Sequence, residues 1–428
     1  MAEWTQNVIW WHVYPLGALG ADTTGHDRSP EPRLRRLVPW LDHLIVLGAN
    51  GLALGPVFAS STHGYDTIDY LSIDPRLGTV DDLVHLVDEA HRRGIQVMLD
   101  GVFNHVGPQF PALVAAQHDP DLPEAALFRH DPDGSLATFE GHGGLIALDH
   151  DSPRTADLVV EVMTHWLDLG VDAWRLDAAY SVPTPFWGSV LPRVRERHPD
   201  AYVVGEVLHG DYADIVAQGT LDSVTQYELW QAIWHGLQSA NFHELAWALT
   251  RHNSFLETFV PYTFVGNHDV TRIASQIDDA RHHAHATVLL FLLGGTPAVY
   301  YGDEVGLTGV KQERFGGDDA IRPALPADPV ELTRSNPAVF ALHQQLIGLR
   351  RRKPWLHRAT SAATTVDNRQ LVLEVRSGDD LLVVALNIGD ETLVVDGEWE
   401  VLEAADAGPD GRTIRVGPHG WAVLAPGS

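Results

Sequence analysis

"GVDAWRLDAAY", residues 170–180, is an apolar run that ends on an arginine and an aspartate two positions apart, Arg175 and Asp177. Either the two charges form an ion pair inside a core, or they hold a reactive carboxylate at the mouth of a pocket. Seven other runs have the same texture. They are "NVIWWHVYPLG" (7–17), "GANGLALGPVF" (48–58), "GIQVMLDGVFNH" (94–105), "AYVVGEV" (201–207), "SVTQYELW" (223–230), "TFVGNHD" (263–269) and "TPAVYYGDE" (296–304). Nearly continuous apolar runs suit parallel strands covered on both faces.

The segments between them read as helices. "TVDDLVHLVDEAHRRG" (79–94) has Thr79 as N-cap, acids in its first turn, Leu83, Leu86, Val87 and Ala90 on one face, and Gly94 as its stop. "SPRTADLVVEVMTHWLDLG" (152–170) has Ser152 as cap, Pro153 at the first position and Gly170 as terminator. Pro39 breaks the pattern at 33–47, so that helix is kinked or begins there. Eight alternations predict an α/β fold, a (β/α)8 TIM barrel. The alternative, an open doubly wound sheet, lacks here its glycine-rich turn after the first strand. The barrel is expected over 1–105 and 152–357, with a short inserted subdomain over 106–151. Residues 358–428 alternate apolar and polar positions, as in an antiparallel β-sandwich.

The 428 residues suit one large α/β domain with an accessory domain. No run approaches about 20 apolar residues, so no membrane partner is expected. No secretory signal is visible at the start, and a cytoplasmic protein is expected. Cysteine is absent, which removes disulfides, thiolate metal sites and cysteine nucleophiles. Lys and Arg number 29 against 57 Asp and Glu, a net charge of −28. That charge repels nucleic acid and tolerates a neutral small molecule. Nothing in the composition indicates an oligomeric state.

Reactive groups of a barrel enzyme sit where the strands end. There the chain carries Asp100, Asn104 and His105 after the third strand, Arg175 and Asp177 after the fourth, Glu206 after the fifth, and Asn267, His268 and Asp269 after the seventh. Singly, such acids are helix caps; together they suit retaining glycoside hydrolysis. In that chemistry two carboxylates about 5–5.5 Å apart act as nucleophile and as acid/base. An arginine two residues from the nucleophile is expected to lower its pKa. A third carboxylate favours the cationic transition state.

"DGVFNHVG" (100–107), "WRLDAAY" (174–180), "VVGEVLHG" (203–210) and "FVGNHDVTR" (264–272) occur in this order. With these motifs the chain resembles the α-amylase family of glycoside hydrolases, family 13, over nearly its whole length. The resemblance implies Asp177 as nucleophile, Glu206 as general acid/base and Asp269 as transition-state stabiliser. It also implies His105 and His268 as sugar-hydroxyl ligands and Arg175 as the group that orients Asp177. Tyr65, within "THGYDTIDY" (62–70), becomes the stacking platform, and Asp100 a structural hydrogen-bonding acid.

Calcium-binding relatives carry a Lys-His pair where this chain has Tyr180 and Ser181. No cofactor is required, and Asn104 is a calcium candidate only with help from loop carboxylates. The missing pair and the short insertion point to short malto-oligosaccharides or similar α-glucosides as substrates. A transglycosylase or isomerase using the same intermediate is the second reading, and a non-catalytic binding barrel the third. In "RHHAHA" (281–286) the three histidines are expected on a solvated face, with a metal site as the alternative. Trp230, Trp234 and Trp247 line sugar subsites or pack inward, and Arg322 or Asp319 in "GGDDAIRPALP" (316–326) touches substrate or does not.

Overall fold

The computed structural model describes residues 3–314 and 316–427. The eight apolar runs form β1 (Trp10–Val13), β2 (Gly51–Leu54), β3 (Gln96–Gly101), β4 (Ala173–Leu176), β5 (Tyr202–Gly205), β6 (Ser223–Val224), β7 (Tyr262–Phe264) and β8 (Thr296–Tyr300). They pair in parallel in the order β6-β5-β4-β3-β2-β1-β8-β7. A parallel bridge from Thr225 to Tyr262 joins the two ends, with the Gln226 N–H donating to the Tyr262 carbonyl at 2.9 Å. The sheet is therefore a barrel and not an open doubly wound layer.

Strand alternation gives the barrel two apolar faces. Trp10, Ala53, Met98, Ala173, Tyr202, Phe264 and Ala298 fill the interior. Their neighbours Trp11, Val13, Leu52, Leu54, Val97, Leu99, Trp174 and Leu176 pack outward in the main core. Large and small side chains alternate around the interior. Trp10 lies in register with Gly51, where a Cβ would come within 2.4 Å of the indole ring.

The helix Val80–His91 begins with a reciprocal capping box between Thr79 and Asp82 and buries Leu83, Leu86, Val87 and Ala90. Left-handed Gly94 and Gly170 follow the helices that they end. Of the two readings of Pro39 the second holds: it is the second residue of the helix Val38–Leu47, behind a 3-10 turn over Arg33–Leu37, so the helix begins there and is not kinked. Two details depart from expectation. Ser152 precedes the helix Pro153–Asp168 without a side-chain cap. The sixth strand is only two residues long, because the Gln226 side chain accepts from the Leu229 N–H and starts the helix Tyr227–Gln238.

Beyond β3, His105–Val106 pairs with Ile146–Ala147, and a helix over Pro111–His118 lies between them. The C-terminal strands Thr360–Val366, Gln370–Ser377, Asp380–Asn387, Leu393–Asp396, Trp399–Asp410 and Thr413–Pro426 are bonded as one antiparallel sheet. One face, with Leu371, Leu373, Val384 and Leu386, joins the main core, and the other buries Val372, Val383, Leu393 and Ile414. The histidines of 281–286 are not on a solvated face. His282 and His285 are buried where the helix His283–Leu292 meets this sheet, and His285 Nε2 reaches the carbonyls of Asn387 and Gly420. Among the described residues no helix is long and apolar enough to cross a membrane.

Gly51→Ala forces a methyl against Trp10 and is expected to cost about 1–3 kcal/mol. The check is a lowered thermal midpoint, followed by circular dichroism.

Candidate active site

The mouth of the barrel is organised around Arg175, at the end of β4. Its Nη1 lies 2.6 Å from Asp100 Oδ2 and 3.3 Å from Asp177 Oδ1. Its Nη2 lies 2.7 Å from Glu206 Oε1 and 3.9 Å from Asp269 Oδ2. One guanidinium thus gathers four carboxylates from the ends of β3, β4, β5 and β7. Asp177, Glu206 and Asp269 line a cavity of about 880 Å³, together with Tyr65 and His105.

Local backbone sets each carboxylate. The Asp177 N–H donates to the Gly101 carbonyl at 3.0 Å. Ala178 takes a left-handed conformation, φ +46, and its N–H donates to Glu206 Oε2 at 2.9 Å. A non-glycine residue held there is a strained position of the kind found at functional sites. Tyr227 Oη donates to Glu206 Oε1 at 3.2 Å and accepts from Asn267 Nδ2 at 2.8 Å. Asn267 Oδ1 in turn accepts the Asp269 N–H at 2.9 Å.

Asp269 has two further cationic or polar partners, Arg322 Nη2 at 3.0 Å and His268 Nε2 at 3.0 Å. Burial alone would raise its pKa, but His268, Arg322 and Arg175 hold it well below the ordinary carboxylate range. Asp177 goes the other way. Burial and the charge of Glu206 push it well up, and Arg175 only partly offsets them. The expected lowering by Arg175 is present but outweighed, because this guanidinium sits closer to Asp100 and Glu206 than to Asp177.

Tyr65 lines the cavity while its hydroxyl reaches Asp100 Oδ2 and His268 Nε2. The ring of His268 lies parallel to those of Tyr65 and Tyr14. His268 and Arg175 stand behind the cavity wall, not in it. His105 faces the cavity, but Nε2 meets the Tyr65 carbonyl and Nδ1 meets Asn104 Nδ2. Burial lowers His105 to about 4, so its ring is neutral. The inserted segment supplies one wall: Phe139 stacks on His105 at 4.8 Å, and Glu140 Oε1 accepts from Tyr180 Oη at 2.9 Å.

Asn104 is buried, and its Nδ2 meets His105 Nδ1 at 3.1 Å. None of the three tryptophans lines the cavity. Trp230 packs on Tyr227 and Phe264, Trp234 packs against the core, and Trp247 is 72% exposed on the helix Phe242–Leu256.

Residues 33–140 and 136–370 match the Alpha-amylase family, described as alpha amylase, catalytic domain. The chain belongs to the alpha-amylase family. Its curated relatives include a cyclomaltodextrinase of Bacillus sp, 30% identical over 90% of this chain and 73% of that protein. A maltogenic alpha-amylase of Bacillus acidopullulyticus is 31% identical over 83% of this chain and 64% of its own length. Among solved structures, the cyclic alpha-maltosyl-(1→6)-maltose hydrolase of Arthrobacter globiformis superposes with a TM-score of 0.84 at 27% identity, covering 100% of this chain and 99% of that one. The chain is a glycoside hydrolase of the α-amylase type.

Within this alpha-amylase site, reading the sequence missed Tyr227, Tyr14 and the Tyr180–Glu140 contact. Tyr227 falls in the run taken for strand six, so a polar pair directly after a strand was the available signal. Glu140 had none, since its place depends on how the insertion closes. Arg322, left open by the sequence, is joined to Asp269.

Arg322→Gln removes a charge-assisted bond worth about 1.5–3 kcal/mol, so kcat/KM on maltotriose is expected to fall about 10- to 100-fold. Because Arg322 lowers the pKa of Asp269, its loss moves the acid limb of the pH profile upward. Arg322→Lys, which keeps the charge, should restore part of both. Steady-state rates between about pH 4 and pH 8 check this.

Proposed function

We propose that this enzyme hydrolyses α-glucosidic bonds, chiefly α-1,4 bonds in short malto-oligosaccharides, open or cyclic, by double displacement with retention. The observation that carries this reading is the convergence of Asp177, Glu206 and Asp269 on one cavity through a single guanidinium. In the first step an Asp177 oxygen attacks the anomeric carbon, and the glycosidic C–O bond breaks. Glu206 gives its proton to the leaving oxygen. In the second step Glu206 takes a proton from water, the water oxygen bonds to the anomeric carbon, and Asp177 leaves. One water is consumed and the configuration is inverted twice.

Asp269, kept ionised, stabilises the oxocarbenium-like charge in both steps. Four carboxylates around Arg175 exceed its charge. That negative excess and burial raise the pKa of Asp177, and a proton kept within the cluster is what the first step needs. The face of Tyr65 meets the apolar C–H face of the sugar. A cavity of about 880 Å³ admits a few sugar units, which supports short substrates. The relatives' names, a cyclomaltodextrinase, a maltogenic alpha-amylase and a cyclic alpha-maltosyl-(1→6)-maltose hydrolase, point the same way.

Proton NMR of maltotriose, maltoheptaose, isomaltose, trehalose and a cyclodextrin, followed in time, tests the reading. The α-anomer of the released sugar should appear first, with no new disaccharide. A β-anomer first would overturn retention, and new linkages with little free sugar would replace hydrolysis by transfer. Asp177→Asn should lower turnover by several orders of magnitude with an unchanged circular dichroism spectrum.

A further inference from the structure

The histidine run 281–286 takes no part in the catalytic site and lies at the seam between the barrel and the C-terminal sheet. Asp279 caps the 3-10 turn Ala280–His282 by accepting the Arg281 N–H at 3.1 Å. Across the seam, the strand Thr413–Pro426 changes partner, pairing near its start with Leu393–Asp396 and further on with Asp380–Asn387. His419 stands between those two stretches with φ +57. His282 Nε2 lies 3.0 Å from His419 Nδ1 and 3.8 Å from Asp279 Oδ2. All three ligand atoms fall within 4.8 Å of one another.

Those spacings match a metal's needs. With bonds of about 2.0–2.2 Å in a tetrahedral shell, ligand atoms stand about 3.3–3.6 Å apart. The observed separations bracket that range, so small side-chain rotations close the shell. On its far side His419 presents Nε2 to Asp390 Oδ1 at 3.3 Å, the outer carboxylate that orients a metal-bound imidazole. The neighbouring charge is Arg281, whose guanidinium forks Asp279 at 2.9 and 2.6 Å. A carboxylate oxygen bonded to an arginine keeps a second lone pair for a metal.

We infer that Asp279, His282 and His419 form a binding site for a divalent transition ion, with Zn(II) as its chemical type, that ties the C-terminal sheet to the barrel. Two imidazoles and one carboxylate suit zinc or a neighbouring ion and not calcium or magnesium, which take oxygen ligands. Ligation fixes both tautomers. His282 carries its proton on Nδ1, and His419 on Nε2, facing Asp390. Because the ligands come from two domains, the ion binds the folded chain and stabilises it by mass action.

The test is titration of the full chain, freed of metal by a chelator, with Zn(II) against a chromogenic competitor, beside His419→Asn and Asp279→Asn. Asparagine tolerates the left-handed backbone at 419, and position 279 is half-buried, so a folding defect in one variant leaves the other to decide. One Zn(II) per wild-type chain is expected, bound about tenfold or more weakly in each variant. The thermal midpoint should rise with Zn(II) in the wild type alone. No one-to-one binding in the wild type overturns the site. So does equal binding in all three proteins, which would place the ion on others of the 24 histidines.

Discussion

A single buried guanidinium, that of Arg175, sets the electrostatics of the barrel mouth. Taking a charge out of water is costly unless oppositely charged groups meet it. Arg175 is met by Asp100, Asp177 and Glu206 within 3.3 Å, so loss of any one of them changes the field on the others. The carboxylates outnumber the cation, and that excess negative charge is the useful quantity. Together with burial it raises the pKa of Asp177, and a negative excess in a cavity wall favours positive charge held against it. Arg322 and His268 then break the symmetry, leaving Asp269 firmly ionised while burial and Glu206 raise Asp177.

The barrel makes this arrangement possible through register. Asp100 on β3 lies directly beside Arg175 on β4, although 75 residues separate them in the chain. β5 continues the ladder and delivers Glu206 just past its end. Below the mouth, the alternation of Trp10, Tyr202 and Tyr262 with Gly51, Ala53 and Ala173 gives a filled interior. A filled interior is stiff, and the strained turn at Ala178 needs that stiffness to keep its N–H on Glu206.

What could be read in advance follows the range of each interaction. Strands β1 to β5, the Thr79 cap and the glycine stops are local patterns, and local patterns are visible in a sequence. The short sixth strand was misread because "SVTQYELW" has strand-like composition, whereas the cap formed by Gln226 depends on a backbone turn. Asp177, Glu206 and Asp269 were legible because each follows an apolar run within an ordered set of motifs. Tyr227 and Glu140 were not, since their contacts arise from the closure of helix and insertion over the mouth. The histidine run had the texture of a surface helix, and only the docking of the C-terminal sheet buries His282 and His285.

The same closure explains how a chain with a net charge of −28 can handle a sugar. A neutral substrate is neither attracted nor repelled at long range, so recognition falls to contact. The ring of Tyr65, the wall formed by Phe139, Glu140 and Tyr180, and Arg322 line the cavity that offers such contact. Asp177, Glu206 and Asp269, members of the negative group around Arg175, line that same cavity. A strongly acidic surface disfavours self-association. Asp177 and Glu206 are buried in the cavity wall, where the barrel holds them and their charge is less screened than in bulk water.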